Sequence, residues 1–198
     1  MDAKASEPNA GVGEFVFLDD SRYDFVDEKV TVLGATLFSL PHKLLRPDID
    51  EFYTNVIQAG SWGSQQHFAA HRVSRKWLLH TTSDIEKEDS GRAVIILTHF
   101  CPTREHIAVG RAYDYRYTTN LGLLNTIMSR NVKLWAFGST HYNCDYLDMK
   151  LHRRFYSNQR GRIRECAGFK AWKVVEVTPT PIPNSEENPD TGSPMDVD

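Results

Sequence analysis

Two histidines stand directly after apolar runs, and their type and position suit metal or acid–base chemistry. Leu97-Thr98 leads into His99, and Phe137-Gly138-Ser139-Thr140 leads into His141. Imidazole is a common ligand for borderline transition metals. Pro102 and Gly138 shape tight turns at these two points. The segment between the two runs has the length of a crossover, which sets two parallel strands side by side. Both histidines then emerge at one sheet edge, where α/β proteins place their ligand sites. The same spacing also fits two histidines that only hydrogen-bond loop carbonyls.

Other residues allow further chemistry, each beside a plainer reading. Cys101 follows His99 by two positions and Cys144 follows His141 by three. Together they form a conceivable His2Cys2 zinc set, since four N/S ligands suit structural zinc. The spacings match no known finger, and a buried cysteine is usually a small hydrophobe. His67 and His71 are spaced i, i+4, a chelating interval on a helix. Gln66-His67-Phe68 lacks the glutamate of a zinc-protease helix, so a surface or partly packed pair is expected. Arg153, Arg154, Arg160, Arg162 and Arg164 cluster around Ser157 to Gly161. The guanidinium fork suits phosphate; the plainer reading is a solvated strand pair with ordinary charges.

The elements that must position these residues follow from hydrophobic patterning. Lys29 to Phe38 reads as a buried strand, and Glu14 to Leu18 as a shorter one. Asp48 to Gln58 reads as a helix capped by Asp48. Gln66 to Ile85 reads as the longest helix, with Val73 and Trp77 on its apolar face and Leu78, Thr81 and Ile85 continuing it. Arg92 to Thr98 is a continuous apolar run bounded by turns, the pattern of a central strand buried on both faces. Thr103 to Thr119 reads as loop, and Asn120 to Asn131 as a helix. Val132 to Phe137 is another strand. Tyr142 to Leu147 and Arg153 to Ser157 read as a hairpin, and Ala171 to Val177 as a final strand. Strands alternating with helices give an α/β or layered α+β domain.

Composition sets the outer limits. The 198 residues are 40% hydrophobic and 25% charged, enough for a real core. The net charge of -3 argues against nucleic acid as a partner. No apolar run reaches membrane-spanning length, and the start lacks the pattern of a secretory signal. Three cysteines make no disulfide scaffold, so a reducing, cytoplasmic setting is expected. Residues 1–13 read as a flexible start, residues 14–177 as the folded domain, and residues 178–198 as a disordered, acidic, proline-rich tail.

Three stretches carry a family resemblance. LTHFCPT (Leu97 to Thr103), WAFGSTHYNCDY (Trp135 to Tyr146) and SNQRG (Ser157 to Gly161) resemble the calcineurin-like metallophosphoesterases, most nearly a largely fungal subgroup. VTVLGATLFS (Val30 to Ser39) is similar to that subgroup's preceding strand, and His67 to Trp77 to its helix. The resemblance covers roughly residues 15 to 177. It implies a metallophosphoesterase-like β-sandwich flanked by helices and a hydrolase of phosphate esters. The implied cofactor is a pair of divalent metals (Mn, Fe or Zn). His99 would be a ligand of one metal and His141 the last ligand of the other. Asn158 and Arg160 would orient the substrate.

Two departures change the expectation. The family carries Gly-His-x-His after the second of these strands, and Ser139 stands where the first of those histidines belongs. A neutral hydroxyl replaces imidazole poorly on such metals. The family's early Asp-x-His, Gly-Asp-x-x-Asp and Gly-Asn-His motifs are also absent, so the chain reads as beginning partway through the fold. Two ligands remain, against about three or four for a typical bound transition metal. A dinuclear centre holds the attacking hydroxide and neutralises the phosphate oxygens; without it, this chain alone is expected to be inactive. The alternatives are a pseudoenzyme or binding module, or a fragment whose uncovered sheet face drives self-association.

Overall fold

The computed structural model describes residues 14–40, 46–51, 53, 55, 60–109, 118–121, 128–161 and 168–179. Strands β1 (Ser21–Phe25) and β2 (Val30–Ala35) open the fold. Helices α1 (Arg46–Glu51) and α2 (Ser64–Glu88) follow, then β3 (Ala93–Thr98) and the short α3 (His106–Val109). Strand β4 (Val132–Phe137) and the hairpin β5 (Cys144–Asp148) and β6 (Arg153–Ser157) complete it. The strands form a six-stranded mixed sheet in the order β1-β2-β3-β4-β6-β5. The inner four run parallel, and the edge strands β1 and β5 run antiparallel to their neighbours. The α/β class expected from alternating strands and helices is present. Where a sandwich of two sheets was expected, the described residues hold this single sheet.

The pairing registers separate the two faces. Leu33, Ile96, Trp135, Phe155 and Tyr146 form one lateral row across β2, β3, β4, β6 and β5. All but Tyr146 are fully or nearly fully buried, and they pack with Leu78 and Ile85 of α2 and Ala108 and Val109 of α3. Burial of each such aliphatic side chain contributes about 1.5–3 kcal/mol. The aromatic rings stack, Trp135 on Phe155 at 6.4 Å and Tyr146 on Phe155 at 5.3 Å. The neighbouring row, Gly34, Leu97, Ala136, Tyr156 and Asp145, points the other way. Leu97 there is 41% exposed while Ala93 on the same face is fully buried, so the second face of β3 opens only toward its C-terminal end. The described helices cover only the inner face.

Several expected elements shift. The strand expected at Glu14 to Leu18 is irregular and largely exposed, and the first strand lies at Ser21–Phe25 instead. The final strand expected at Ala171 to Val177 does not form, and Trp172 and Val174 stand exposed. That segment is tied to the hairpin through side chains, with Lys173 Nζ 3.3 Å from Asp145. The buried stripe of α2 runs through His67, His71, Ser74, Leu78, Thr82 and Ile85, while Val73 is exposed. With Phe68, also buried, four of the seven buried residues of α2 are polar, which hid the stripe from a hydrophobic pattern; Thr82 Oγ1, for one, donates to the Leu78 carbonyl at 2.8 Å. Residues 52, 54 and 56–58 of the helix expected at Asp48 to Gln58, and 122–127 of the helix expected at Asn120 to Asn131, lie outside the described residues.

Candidate functional site

Strands β2, β3, β4 and β6 are parallel, so their C-terminal ends meet at one edge of the sheet. The segments that leave this edge carry Leu37 to Leu40, His99 to Cys101, Gly138 to Asn143 and Asn158 to Gly161. β3 pairs with β4 through Thr98 and Phe137, the last residue of each, so the segments that carry His99 and His141 leave the same edge of the sheet.

The turn at His99 is fixed from inside the core. The Trp135 indole Nε1–H donates to Thr98 Oγ1 at 3.0 Å, and that hydroxyl donates to the Phe100 carbonyl at 2.8 Å. Outside the core, Gly138 N–H reaches the carbonyls of Thr98 and His99 at 3.3 and 3.1 Å. Phe100 N–H donates to the Thr36 carbonyl at 3.3 Å, which links the ends of β2 and β3. His99 is exposed overall, yet the protein around its ring excludes enough water to push its pKa down. The neutral imidazole that a metal requires is thereby favoured near pH 7.

The loop of His141 is held by a residue that the motif reading did not single out. Ser139 and His141 both adopt left-handed backbone, with φ of 68° and 53°. Gln159, just beyond β6, accepts from His141 N–H at 3.2 Å. Its amide nitrogen shares two N–H groups among Thr140 Oγ1, the Tyr142 carbonyl and Ser157 Oγ, at 2.9, 3.1 and 2.7 Å. Asn143 closes the arrangement by exchanging hydrogen bonds with the Gln159 backbone. A single amide thus holds a loop with two left-handed residues, each of which costs on the order of 1 kcal/mol. Local sequence carries no sign of this role, because the hairpin brings Gln159 back beside the loop.

The remaining candidates divide by environment. Asn158 donates to the Lys170 carbonyl at 2.8 Å and accepts from Lys170 N–H at 3.0 Å, so its amide fastens the C-terminal segment. Arg160 is exposed at the same edge. Of the other arginines, Arg153 is buried over Trp135 with its carbon Cζ 6.0 Å from the ring centroid, and burial pushes its pKa down to about 10. Arg154 holds Asp145 in a two-point pair at 2.6 and 2.8 Å. Arg162 and Arg164 lie outside the described residues. Asp145 is a charge partner on β5, held below its usual carboxylate pKa chiefly by Arg154.

The imagined His2Cys2 set is split between surface and core. Cys101 and Cys144 are buried free thiols. Burial pushes both up, Cys144 to about 12, which opposes the thiolate a zinc site needs. His99 and His141 are exposed. Among the described residues no three His, Cys, Asp or Glu side chains gather to hold a metal ion. His67 and His71, expected as a surface or partly packed pair, are 3% and 1% exposed, and protein groups occupy their rings. No helix among the described residues is long and apolar enough to cross a membrane.

Comparison with known proteins adds no relative: no family model, no curated protein and no solved structure matches this chain.

Proposed function

We propose that this chain is a metallophosphoesterase-like domain that, by itself, engages phosphate esters without hydrolysing them. The observation that carries the reading is the pair of imidazoles, His99 and His141, at the ends of neighbouring parallel strands, with the Ser139 hydroxyl two residues before the second. If divalent metals occupied this edge, His99 and His141 would be ligands, and the metals would supply charge neutralisation and a bound hydroxide. Two imidazoles and a neutral hydroxyl fall short of a dinuclear donor set. What remains is a phosphate-compatible edge: imidazole donors and the exposed Arg160 guanidinium.

Turnover is the test. With an aryl phosphate and added Mn²⁺, the purified chain is expected to release no phenol above the protein-free blank. Hydrolysis that disappears in His99→Ala and His141→Ala would overturn the reading.

A second reading is favoured by the outer sheet face, where Phe25, Leu97 and Leu147 are 44%, 41% and 54% exposed. Such a face favours association with a further copy of the chain. Sedimentation across a concentration series would then show a dimer that charged substitution at Leu97 dissociates. A strictly monomeric chain would remove this reading.

A further inference from the structure

Two irregular segments cross the outer face of the sheet, which the described helices leave uncovered. Residues 14–20 run over β1 and β2 toward the C-terminal end of β2. Glu14 accepts from the Tyr23 hydroxyl at 2.6 Å, and Leu18 lies on Gly34, two residues further along β2 than Val32, the partner of Tyr23. Residues 168–178 run back along β6 in the opposite sense. The Lys170 backbone exchanges two hydrogen bonds with Asn158 beyond the end of β6, Lys173 lies 3.3 Å from Asp145, and Val177 reaches the level of Leu134 and Arg154. Cavities of about 270 and 380 Å³ remain between this second segment and the sheet, so polar tethers rather than close packing hold it. Both segments turn apolar side chains away from the sheet: Phe15, Phe17, Trp172 and Val174 are 86%, 76%, 94% and 84% exposed. In the strand order β1-β2-β3-β4-β6-β5, these two ridges flank a trough over β3 and β4, where Leu97 is exposed.

Charge and direction make this face self-complementary. The first ridge (EFVFLDD) carries Glu14, Asp19 and Asp20 and no cation. Asp20 turns to Ser74 of α2, while Glu14 and Asp19 stay exposed. The second ridge carries Lys170 and Lys173 against Glu176. Building on the reading that a second copy covers this face, we propose that the chain forms a two-fold dimer in which the C-terminal ridge of each copy seats in the trough of the other, alongside its N-terminal ridge. A two-fold axis parallel to the strands keeps strand direction, so the first ridge of one copy meets the second ridge of the other running antiparallel to it. This alignment sets Asp19 beside Lys170, Phe17 beside Trp172 and Phe15 beside Val174. An axis across the strands would instead set each ridge on its own twin, acid against acid and base against base. Opposite charge selects the first arrangement, and the apolar side chains supply the burial. The same axis leaves the edges that carry His99 and His141 at one end of the dimer.

Sedimentation equilibrium of the full-length chain over a concentration series tests the pairing. The native chain is expected to form dimers. Asp19→Lys and Lys170→Glu leave the tethers above in place. Each is expected to weaken the dimer about tenfold, since each turns two ion pairs into like-charge contacts. An equimolar mixture of the two variants is expected to regain native-strength association, because the reversed charges then face each other. Trp172→Ala, at a side chain 94% exposed in the single chain, is expected to weaken the dimer at least tenfold while the monomer unfolds as the native one does. A native dimer that these substitutions leave at native strength, or a mixture that regains nothing, overturns the pairing and leaves the second-copy reading of the face standing. A native chain that stays monomeric throughout the series overturns both.

Discussion

The substitution Thr98→Val isolates the contact that links the core to the His99 turn. Thr98 Oγ1 accepts from the Trp135 indole at 3.0 Å and donates to the Phe100 carbonyl at 2.8 Å, and both Thr98 and Trp135 are buried. Valine keeps the shape and suits a strand, so the substitution removes the hydroxyl and little else. It leaves a buried N–H and a carbonyl without these partners, at about 1–3 kcal/mol each. The added methyl returns about 1 kcal/mol. The net loss is about 1–5 kcal/mol, a sizeable share of the ~5–15 kcal/mol available to an ordinary domain. Urea unfolding followed by tryptophan fluorescence measures it, with an unchanged slope as the sign that the folded state stays compact. Thr98→Ser keeps both hydrogen bonds and loses only a methyl, so it is expected to cost about 1 kcal/mol. A Thr98→Val protein within about 0.5 kcal/mol of native, or no better than the serine variant's equal, would refute the reasoning.

Three further outcomes follow from the geometry. A Cβ at Gly34 would sit 2.3 Å from Leu18 Cβ, so Gly34→Ala is expected to lose about 1–3 kcal/mol in thermal or urea unfolding, and Leu18→Gly should restore part of it. Gln159→Ala removes the amide that holds residues 140–142, so backbone resonances of that loop should broaden or shift while those of β3 do not, at a stability cost of about 1–3 kcal/mol. Asp145 is held below its usual pKa by Arg154, so the pair contributes stability above pH ~4 that is lost as pH falls through the folded value. Because the pair is a third exposed, Asp145→Asn is expected to cost no more than about 1 kcal/mol at pH 7, with the difference vanishing at pH 2–3.

The sheet was legible where burial and apolar sequence coincide. Strands β2, β3 and β4 are apolar runs, and the hairpin of β5 and β6 shows in its flanking patterns. Strand β1 was not legible, because Arg22 and Asp24 occupy alternate positions; Arg22 pairs with Asp24 and Glu88 instead of facing solvent alone. Ala171 to Val177 has strand-like residues but no strand partner, and composition alone does not reveal that. The stripe of α2 was misplaced for a related reason: His67, His71 and Ser74 are buried because specific hydrogen bonds satisfy them. At the candidate site, the exit of the His99 and His141 segments from one edge follows from a strand, a crossover and a strand, which sequence can show. Gln159 is different, since its contacts depend on the register that returns β6 beside β4.

The central claim is that this chain does not assemble a dinuclear hydrolytic centre from its own residues. Elemental analysis of the purified chain, after equilibration with Mn²⁺, Zn²⁺ or Fe²⁺ and removal of free metal, tests it most directly. Fewer than two tightly held metal ions per chain are expected, with no aryl phosphatase activity in any of the loaded samples. Two ions per chain, lost in His99→Ala and His141→Ala and accompanied by phosphate ester turnover, would contradict it.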